Sequence, residues 1–339
     1  MNLAKRVGAA FLVGAISAPL TLFAAPASAA PSLQNVQAQI IRLQEEAAIA
    51  AEGAQAAKVQ LLSLTHTLTG IRQEASAQGQ TVAKLRKSLG AIAVEQYKSG
   101  GLSQGLELLF SSDPTLYLSA AGSLEAITRR KALQLQAFAT AQQRLNATTL
   151  TVNDRMALVK ATQNRLAAQS AQAEAMLQQT QKILGQLKKV DRVRLQKLTQ
   201  QANDKVQASS LVFAQQTTGL SGRGGIALKY ALRQIGDWYV FGAAGMIYWD
   251  CSGLTMRAYQ SAGVSLPHSA AAQSNYGRSV PFNALRPGDL VFFGSPISHV
   301  SIYLGGGRMV DAPHTGARVR VESFGYTWGY LRLVAARRF

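Results

Sequence analysis

The sequence is poor in cysteine and in acidic residues. Cys251 is the one cysteine among 339 residues, so a framework of intramolecular disulfides is excluded. Only 17 Asp and Glu oppose 35 Lys and Arg, which gives a formal net charge of +18 at pH 7. Such a surplus indicates an anionic partner or simply high solubility, and the charge alone does not separate these two interpretations.

Long apolar runs are also rare, and the one near the N-terminus predicts export. It begins at Val7, directly after Lys5 and Arg6, and ends before the small residues 27–30. This order predicts a signal peptide over residues 1–30. The alternative, an uncleaved anchor, is less compatible with so short a run. No cysteine follows the run, which excludes a lipid anchor at the cleavage site. We therefore expect a secreted protein of the cell wall or envelope, with anionic wall polymers or lipid headgroups as possible counter-surfaces and no nucleic-acid partner.

A seven-residue repeat dominates the next part of the chain. Two apolar series with this period run in parallel from Leu33 to Ile92, and Gln78 is their single polar member. Such a repeat is typical of a left-handed coiled coil. At about 1.5 Å rise per residue, the predicted helix is about 100 Å long. The first series is Leu33, Ile40, Ala47, Ala54, Leu61, Leu68, Ala75, Val82 and Leu89; the second is Val36, Leu43, Ala50, Ala57, Leu64, Ile71, Gln78, Leu85 and Ile92.

The repeat stops at Ser99–Gly101, and a second long helix is predicted from about Ala120 to Ala214. Asp113 and Pro114 form a favourable helix start before it. Two long helices around a broken tip predict an antiparallel coiled-coil hairpin within a helical region spanning residues 31–215. An intermolecular coiled coil remains the alternative. Apolar residues around the break either close the hairpin or form a docking patch.

The composition changes to glycine, serine and threonine over residues 216–225, which predicts a flexible linker. Residues 226–339 are long enough for one compact domain. Helices are predicted around residues 226–235 and 252–262, and a run of short strands follows them. The predicted strands are Leu290–Phe293, His299–Leu304, Arg308–Ala312, Arg318–Glu322 and Tyr330–Val334.

Cys251 is the candidate nucleophile. It lies at the predicted start of a helix, where unpaired amides and the helix dipole favour the thiolate and lower the pKa of the thiol. The alternative is a buried structural cysteine. Its polar neighbours, Asp250 and Ser252, argue against that alternative.

His299 and Asp311 are the candidate general base and the candidate orienting carboxylate that would activate the Cys251 thiol. If the hairpin around the three glycines is centred on Gly306, Asp311 lies opposite Ser301 and on the same face as His299. The carboxylate could then orient the imidazole toward Cys251. His314 would point to the other face, although a slip of one residue would reverse this assignment. The alternative for Asp311 is a solvated acid at a strand end.

Three segments together resemble the signature of NlpC/p60 cell-wall peptidases: Asp250–Leu254, Leu285–Phe293 and His299–Gly305. The resemblance covers about residues 225–339. It implies an α+β papain-like domain in which a helix carrying the cysteine packs against an antiparallel sheet carrying the histidine. It further implies a peptidoglycan endopeptidase that hydrolyses stem peptides, usually between D-glutamate and the diamino acid, without a metal or other cofactor.

The same resemblance assigns roles to individual residues. Cys251 corresponds to the nucleophile, His299 to the general base, and Asp311 to the third polar residue, which varies in the family. Tyr239, Asp250 and Ser252 correspond to substrate-binding positions. The chain departs from the pattern with Trp238 where proline is usual and with Ala243-Ala244 where a second glycine is common, and both changes affect the expected subsite shape.

A coiled coil before such a domain is similar to the architecture of actinobacterial peptidoglycan endopeptidases of the invasion-associated type. That likeness implies that the helices either occlude the catalytic cleft or dock, through their tip, on a membrane division complex. Two other functions stay open from the sequence. One is a non-catalytic wall scaffold or adaptor, which the intact Cys251, His299 and Asp311 disfavour; the other is an acyltransferase on the same fold.

Overall fold

The computed structural model describes residues 32–98 and 114–339. The predicted signal peptide and the predicted hairpin tip lie outside these residues. Within the described part of the helical region there are three long helices, and the first two pack side by side as the predicted antiparallel hairpin. Gly53 faces Gln169, and Gln60 accepts a hydrogen bond from Arg165. Residue numbers therefore increase along one helix where they decrease along the other, which shows that the two helices are antiparallel. The helices are α1 (Leu33–Lys98), α2 (Pro114–Gln186) and α3 (Lys189–Gln216).

Burial along α1 follows the predicted heptads. Every position of both series is buried or half-buried, including Gln78. Between residues 47 and 57 the seam consists of alanines, which allow the helices to approach closely; Ala50 and Ala51 pack against Ala173 of α2 there. In the same stretch, Ala48, Glu52 and Gln55 are also buried, although they lie off the seam and are not part of the contact with Ala173. Their spacing of four and three places them on one side of the helix, which faces the C-terminal domain.

The prediction of one continuous second helix was wrong. The helix is interrupted at residues 187–188, where Lys188 adopts an extended conformation (ψ 151°). The break lets α3 turn back, and its Leu195 packs against Val36 and Ile40 of α1. Among the described residues, no helix combines the length and apolarity needed to span a membrane.

The C-terminal domain is α+β, as predicted. Its strands are β1 (Trp238–Tyr239), β2 (Tyr248–Trp249), β3 (Arg278–Ser279), β4 (Leu290–Phe293), β5 (His299–Gly305), β6 (Arg308–Asp311), β7 (Arg320–Ser323), β8 (Thr327–Trp328) and β9 (Leu331–Arg338). Seven of them form an antiparallel sheet with the order β3-β9-β4-β5-β6-β7, in which β8 also pairs with β9. Strands β1 and β2 form a separate parallel pair. All five predicted strands are present as β4, β5, β6, β7 and β9. The helices are α4 (Gly222–Leu232), α5 (Cys251–Gln260) and α6 (Ala270–Gln273), with a 3₁₀ turn at Phe282–Ala284.

Both faces of the sheet are covered, and β4 shows how. Leu290 and Phe292 point to the face that packs on α4 and α5, whereas Val291 and Phe293 point to the opposite cluster. All four side chains are fully buried. Each such burial stabilises the domain by about 1.5–3 kcal/mol. The central strands β4, β5 and β6 are thereby held rigidly; β5 begins with His299 and β6 ends with Asp311.

The helical region also contacts the exposed edge of the sheet. Val321 of the edge strand β7 donates its amide hydrogen to Ser210 Oγ of α3 at 2.9 Å, and Gln207 donates to the Val319 carbonyl at 3.1 Å. The predicted linker over residues 216–225 overlaps α4, because the chain is already helical from Gly222. The boundaries of the predicted domains themselves stay predictions.

Candidate active site

Cys251 is the first residue of α5. The preceding Asp250 caps this helix, because its Oδ1 accepts the Gly253 amide hydrogen at 2.6 Å. Gly253 is required at its position, since a Cβ there would collide with the Ala243 carbonyl oxygen and the Asp250 carboxylate. The cap and the close backbone approach fix the thiol at the helix N-terminus, as the sequence predicted.

His299 and Asp311 meet across the β5–β6 hairpin. Ile302 pairs with Val310, which is the register of a hairpin centred on Gly306 and which sets Ser301 opposite Asp311. His299 Nε2 lies 2.8 Å from Asp311 Oδ1, and Ser301 Oγ donates to the same oxygen at 3.1 Å. His299 and Asp311 are almost fully buried. Because Nε2 faces the carboxylate, Nδ1 is the imidazole nitrogen left for the thiol.

The carboxylate of Asp311 is stabilised in its charged form. Burial by itself raises the pKa of this group. The charge and the hydrogen bond of His299 outweigh that effect, with help from Arg320 and Ser301, so the pKa of Asp311 lies below its usual value. Asp311 is therefore an anion that can hold a protonated or neutral His299 in one orientation.

The hydrogen bond of His314 goes to the backbone and not to His299 or Asp311, and its predicted place on the other face of the hairpin stays a prediction. Its Nδ1 donates to the Thr315 carbonyl oxygen at 2.9 Å. Burial lowers the pKa of His314 to about 4, so the ring is neutral near pH 7. Tyr239 is buried close to the thiol, and burial together with the neighbouring Cys251, Asp250 and Glu52 raises its pKa well above the usual value.

A carboxylate from the helical region fills the space in front of the thiol. Glu52 of α1 is 3% exposed, and its Oε2 accepts hydrogen bonds from Ser252 Oγ at 2.8 Å and from the Cys251 thiol at 3.5 Å. The other oxygen, Oε1, accepts the Ala270 amide hydrogen. Both oxygens of Glu52 are thus bonded to the C-terminal domain, and one of them occupies a position next to the candidate nucleophile.

Neighbouring residues of α1 extend this contact along the cleft. Ala48 belongs to the buried cluster that contains Cys251 and Leu254. The side chain of Gln55 lies against Gly242, one turn further along the helix. We call this arrangement, in which Glu52 contacts the thiol while Ala48 and Gln55 of the same helix pack on the surrounding domain, the closed cleft.

The prediction of a lowered thiol pKa was wrong for the closed cleft. Burial is the main cause of a pKa of Cys251 well above the usual value, followed by the charges of Glu52, Asp250 and Asp311. The Val300 amide acts in the opposite direction but does not compensate. The polar flanks were also expected to keep the thiol from being buried, yet Asp250, Cys251 and Ser252 are all buried because α1 covers them and their polar atoms are hydrogen-bonded.

Glu52 is itself perturbed by the closed cleft. Burial, followed by the charge of Asp250, raises its pKa to about 7. Asp250 also contacts His268, whose Nε2 lies 2.8 Å from both carboxylate oxygens. Burial lowers the pKa of His268, but the hydrogen bond and charge of Asp250 dominate and raise it overall. A positive charge on His268 therefore compensates part of the negative charge crowded beside the thiol.

The sequence prediction missed three residues of the site: Glu52, His268 and Trp328. The indole ring of Trp328 stacks on the His299 imidazole, with 3.7 Å between the ring centroids. The one available signal for Glu52 was a charged residue inside an alanine-rich stretch of α1. Within residues 32–98 and 114–339, no group of three or more His, Cys, Asp or Glu side chains is arranged to hold a metal ion.

Comparison with known proteins gives one matching family. The NlpC/P60 family model matches residues 236–338, a range that includes Cys251, His299 and Asp311. A protein named "Probable endopeptidase Rv2190c" from Mycobacterium tuberculosis is 42% identical over 106 residues, which are 31% of this chain and 28% of that protein. "Peptidoglycan endopeptidase RipA" from the same organism is 46% identical over 79 residues, 23% of this chain and 17% of that protein.

Among solved structures, "Rv1477, hypothetical invasion protein of Mycobacterium tuberculosis" is 30% identical and covers 38% of this chain and 65% of that chain, with a TM-score of 0.30. The match to this chain covers less than a third of the length of each of the two curated relatives, Rv2190c and RipA.

Proposed function

Residues 236–338 form an NlpC/P60 family domain of the cysteine peptidase type, and from this premise we propose that the protein is a peptidoglycan endopeptidase held inactive by its own helical region. The proposed substrate is a peptidoglycan stem peptide, cut between D-glutamate and the diamino acid. The proposed place of action is the cell envelope. The named relatives include a peptidoglycan endopeptidase, which supports the substrate class.

The observation that carries the proposed chemistry is the position of Cys251 at the α5 N-terminus, where its thiol is hydrogen-bonded to the amide of Val300, the residue after His299, and lies within the electrostatic reach of Asp311. In this mechanism His299 takes the proton of the Cys251 thiol through Nδ1, and the thiolate attacks the scissile carbonyl carbon. Asp311 keeps the imidazole oriented and stabilises its charged form. His299 then gives the proton to the leaving amine, and water hydrolyses the thioester with His299 as base.

The closed cleft supports inhibition by two physical effects. The Glu52 side chain occupies the space that a substrate carbonyl needs in order to reach Cys251. Its charge and the burial of the cleft also favour the neutral thiol over the nucleophilic thiolate. Withdrawal of α1 would remove both effects at once, because the alanine stretch and Glu52 lie on the same rigid helix.

The contact is suited to reversible release. Glu52 is buried next to the like charge of Asp250, so part of the hydrogen-bond energy at the closed cleft is offset by electrostatic repulsion. A partner that binds the helical region more strongly in the open state could then shift the equilibrium with a few kcal/mol. A membrane division complex acting through the hairpin tip is the partner we propose, and that tip lies outside the described residues.

The test uses the whole mature chain with purified diaminopimelate-type muropeptides and mass spectrometry of the products. We expect the Glu52→Ala chain to release products that end in D-glutamate and begin with the diamino acid. The Glu52→Ala/Cys251→Ala chain should release none. Products from the chain without Cys251 would overturn the cysteine mechanism, and products cut at another bond would overturn the proposed specificity.

A further inference from the structure

Trp328 contacts both members of the His299–Asp311 pair. It lies on β8, where it pairs with Leu331 of β9, and only 7% of it is exposed. Its indole ring is stacked on the His299 imidazole with 3.7 Å between centroids and 10° between the planes. A ring stacked in parallel at this distance prevents the imidazole from tilting out of its plane toward that side.

The indole nitrogen holds the other member of the pair. Trp328 Nε1 donates to Asp311 Oδ2 at 2.9 Å and more weakly to Glu322 Oε2 at 3.2 Å. The second carboxylate oxygen, Oδ1, accepts from Ser301 and faces His299 Nε2. Both oxygens of Asp311 are therefore engaged, and the plane of the carboxylate is fixed relative to the imidazole.

We infer that Trp328 is a positioning residue of the reaction, which aligns His299 by stacking and Asp311 by hydrogen bonding. The other two tryptophans of the domain have different roles. Trp249 donates its indole hydrogen to Asp237, and the ring of Trp238 lies beneath Arg318. Trp328 thus combines two contacts that act on the same degree of freedom, the orientation of the imidazole relative to the thiol.

This inference rests on the proposed function, and its test has one readout that does not need hydrolysis. Two variants separate the two contacts. Trp328→Phe keeps an aromatic face and removes the indole N–H, whereas Trp328→Leu removes both. Tyr259→Phe is the matched control, because it removes another buried donor, the hydroxyl bonded to the Gly288 carbonyl, away from the site.

The first readout is kinetic, in the Glu52→Ala chain with muropeptide substrate. The loss of one hydrogen bond to a charged acceptor corresponds to roughly a tenfold effect, so Trp328→Phe should lower kcat about tenfold and leave KM within about twofold. Trp328→Leu should lower kcat further. Tyr259→Phe should keep kcat within about twofold. Unchanged kcat in Trp328→Phe, or a loss confined to KM, would overturn the inference.

The second readout is the imidazole N–H signal of His299 in nitrogen-edited NMR of the whole chain. The protein has four histidines, and His299→Gln identifies the signal by its disappearance. We expect a slowly exchanging N–H in the wild-type protein that shifts and exchanges faster in both Trp328 variants and not in Tyr259→Phe. An unchanged signal with only a lower Tm would assign Trp328 a merely structural role. If the Glu52→Ala chain hydrolyses nothing, the proposed function fails, and this signal still decides the role of Trp328.

Discussion

Glu52 and Ser252 are 200 positions apart in the chain, yet the Ser252 hydroxyl donates a hydrogen bond to the Glu52 carboxylate at 2.8 Å. The bond joins the coiled-coil hairpin to the helix that begins with Cys251. It places a carboxylate oxygen 3.5 Å from the sulfur atom on which a reactive thiolate would form. The proposed regulation depends on this one relationship more than on any other contact between the helices and the catalytic domain.

The first prediction separates the packing of α1 from the chemistry of Glu52. Ala48 is buried in the catalytic core cluster, so Ala48→Arg must displace α1 from the cleft. Overpacking of this kind costs about 1–3 kcal/mol, which should raise the hydrolysis rate of the whole chain roughly tenfold or more. Ala77→Arg, on an exposed position of the same helix, is the control and should leave the rate unchanged. Equal rates for both variants would show that α1 does not limit access to the thiol.

The second prediction concerns pH. In the closed cleft the pKa of Glu52 is about 7, whereas an exposed glutamate has a value near 4.5. Below about pH 4.5 Glu52 is neutral in both the open and the closed state, so closing the cleft does not require burial of its charge. As the pH rises toward 7, the closed state is weakened by up to about 3 kcal/mol relative to the open state. His268 couples to closure only through the charge of Glu52, because the larger causes of its raised pKa are the hydrogen bond and charge of Asp250 within the same domain.

Glu52→Gln tests this pH dependence, because an amide keeps the size and the acceptor oxygen but does not titrate. Asp250, Cys251 and His268 face the group and remain unchanged in the variant. The ratio of wild-type to Glu52→Gln hydrolysis should therefore rise between about pH 5 and pH 7.5, because the two proteins differ only at the titrating Glu52. A flat ratio over this range would contradict a titrating Glu52 in the closed cleft.

The third prediction orders the residues of the candidate catalytic group, measured in the Glu52→Ala chain. His299→Ala should be as damaging as Cys251→Ala, because general base catalysis contributes about 10²–10⁴ in rate. Asp311→Ala should be milder, and Asp311→Asn milder still, since an amide oxygen can orient the ring. His314→Ala should leave kcat nearly unchanged, because its ring bonds to the Thr315 carbonyl instead. An inactive His314→Ala together with an active Asp311→Ala would reverse these assignments.

The parts of the fold that the sequence predicted are those set by local pattern. The heptads of α1 predicted the buried seam because each turn repeats the same apolar positions. The β5–β6 register followed from the three glycines around Gly306, all of which have positive φ and so form the turn. That register alone brought Asp311 next to His299.

The closed cleft could not be predicted in this way. Glu52 belongs to neither heptad series, and nothing local indicates which surface its side of the helix faces. The pKa of Cys251 was predicted in the wrong direction for the same reason. A helix N-terminus lowers a thiol pKa, but burial under α1 and the Glu52 charge arise from tertiary contacts and outweigh it. The break at Lys188 likewise depends on α3 packing against both α1 and the sheet edge.

The most direct test of the proposed inhibition is the rate at which iodoacetamide alkylates the whole chain. Cys251 is the one cysteine, so the labelling rate reports this thiol alone. We expect slow labelling of the wild-type protein and of Glu95→Ala, a control at an exposed position of α1, and labelling at least tenfold faster for Glu52→Ala. Labelling of Glu52→Ala at the wild-type rate would contradict the account, because Glu52 would then not be what keeps the thiol unreactive.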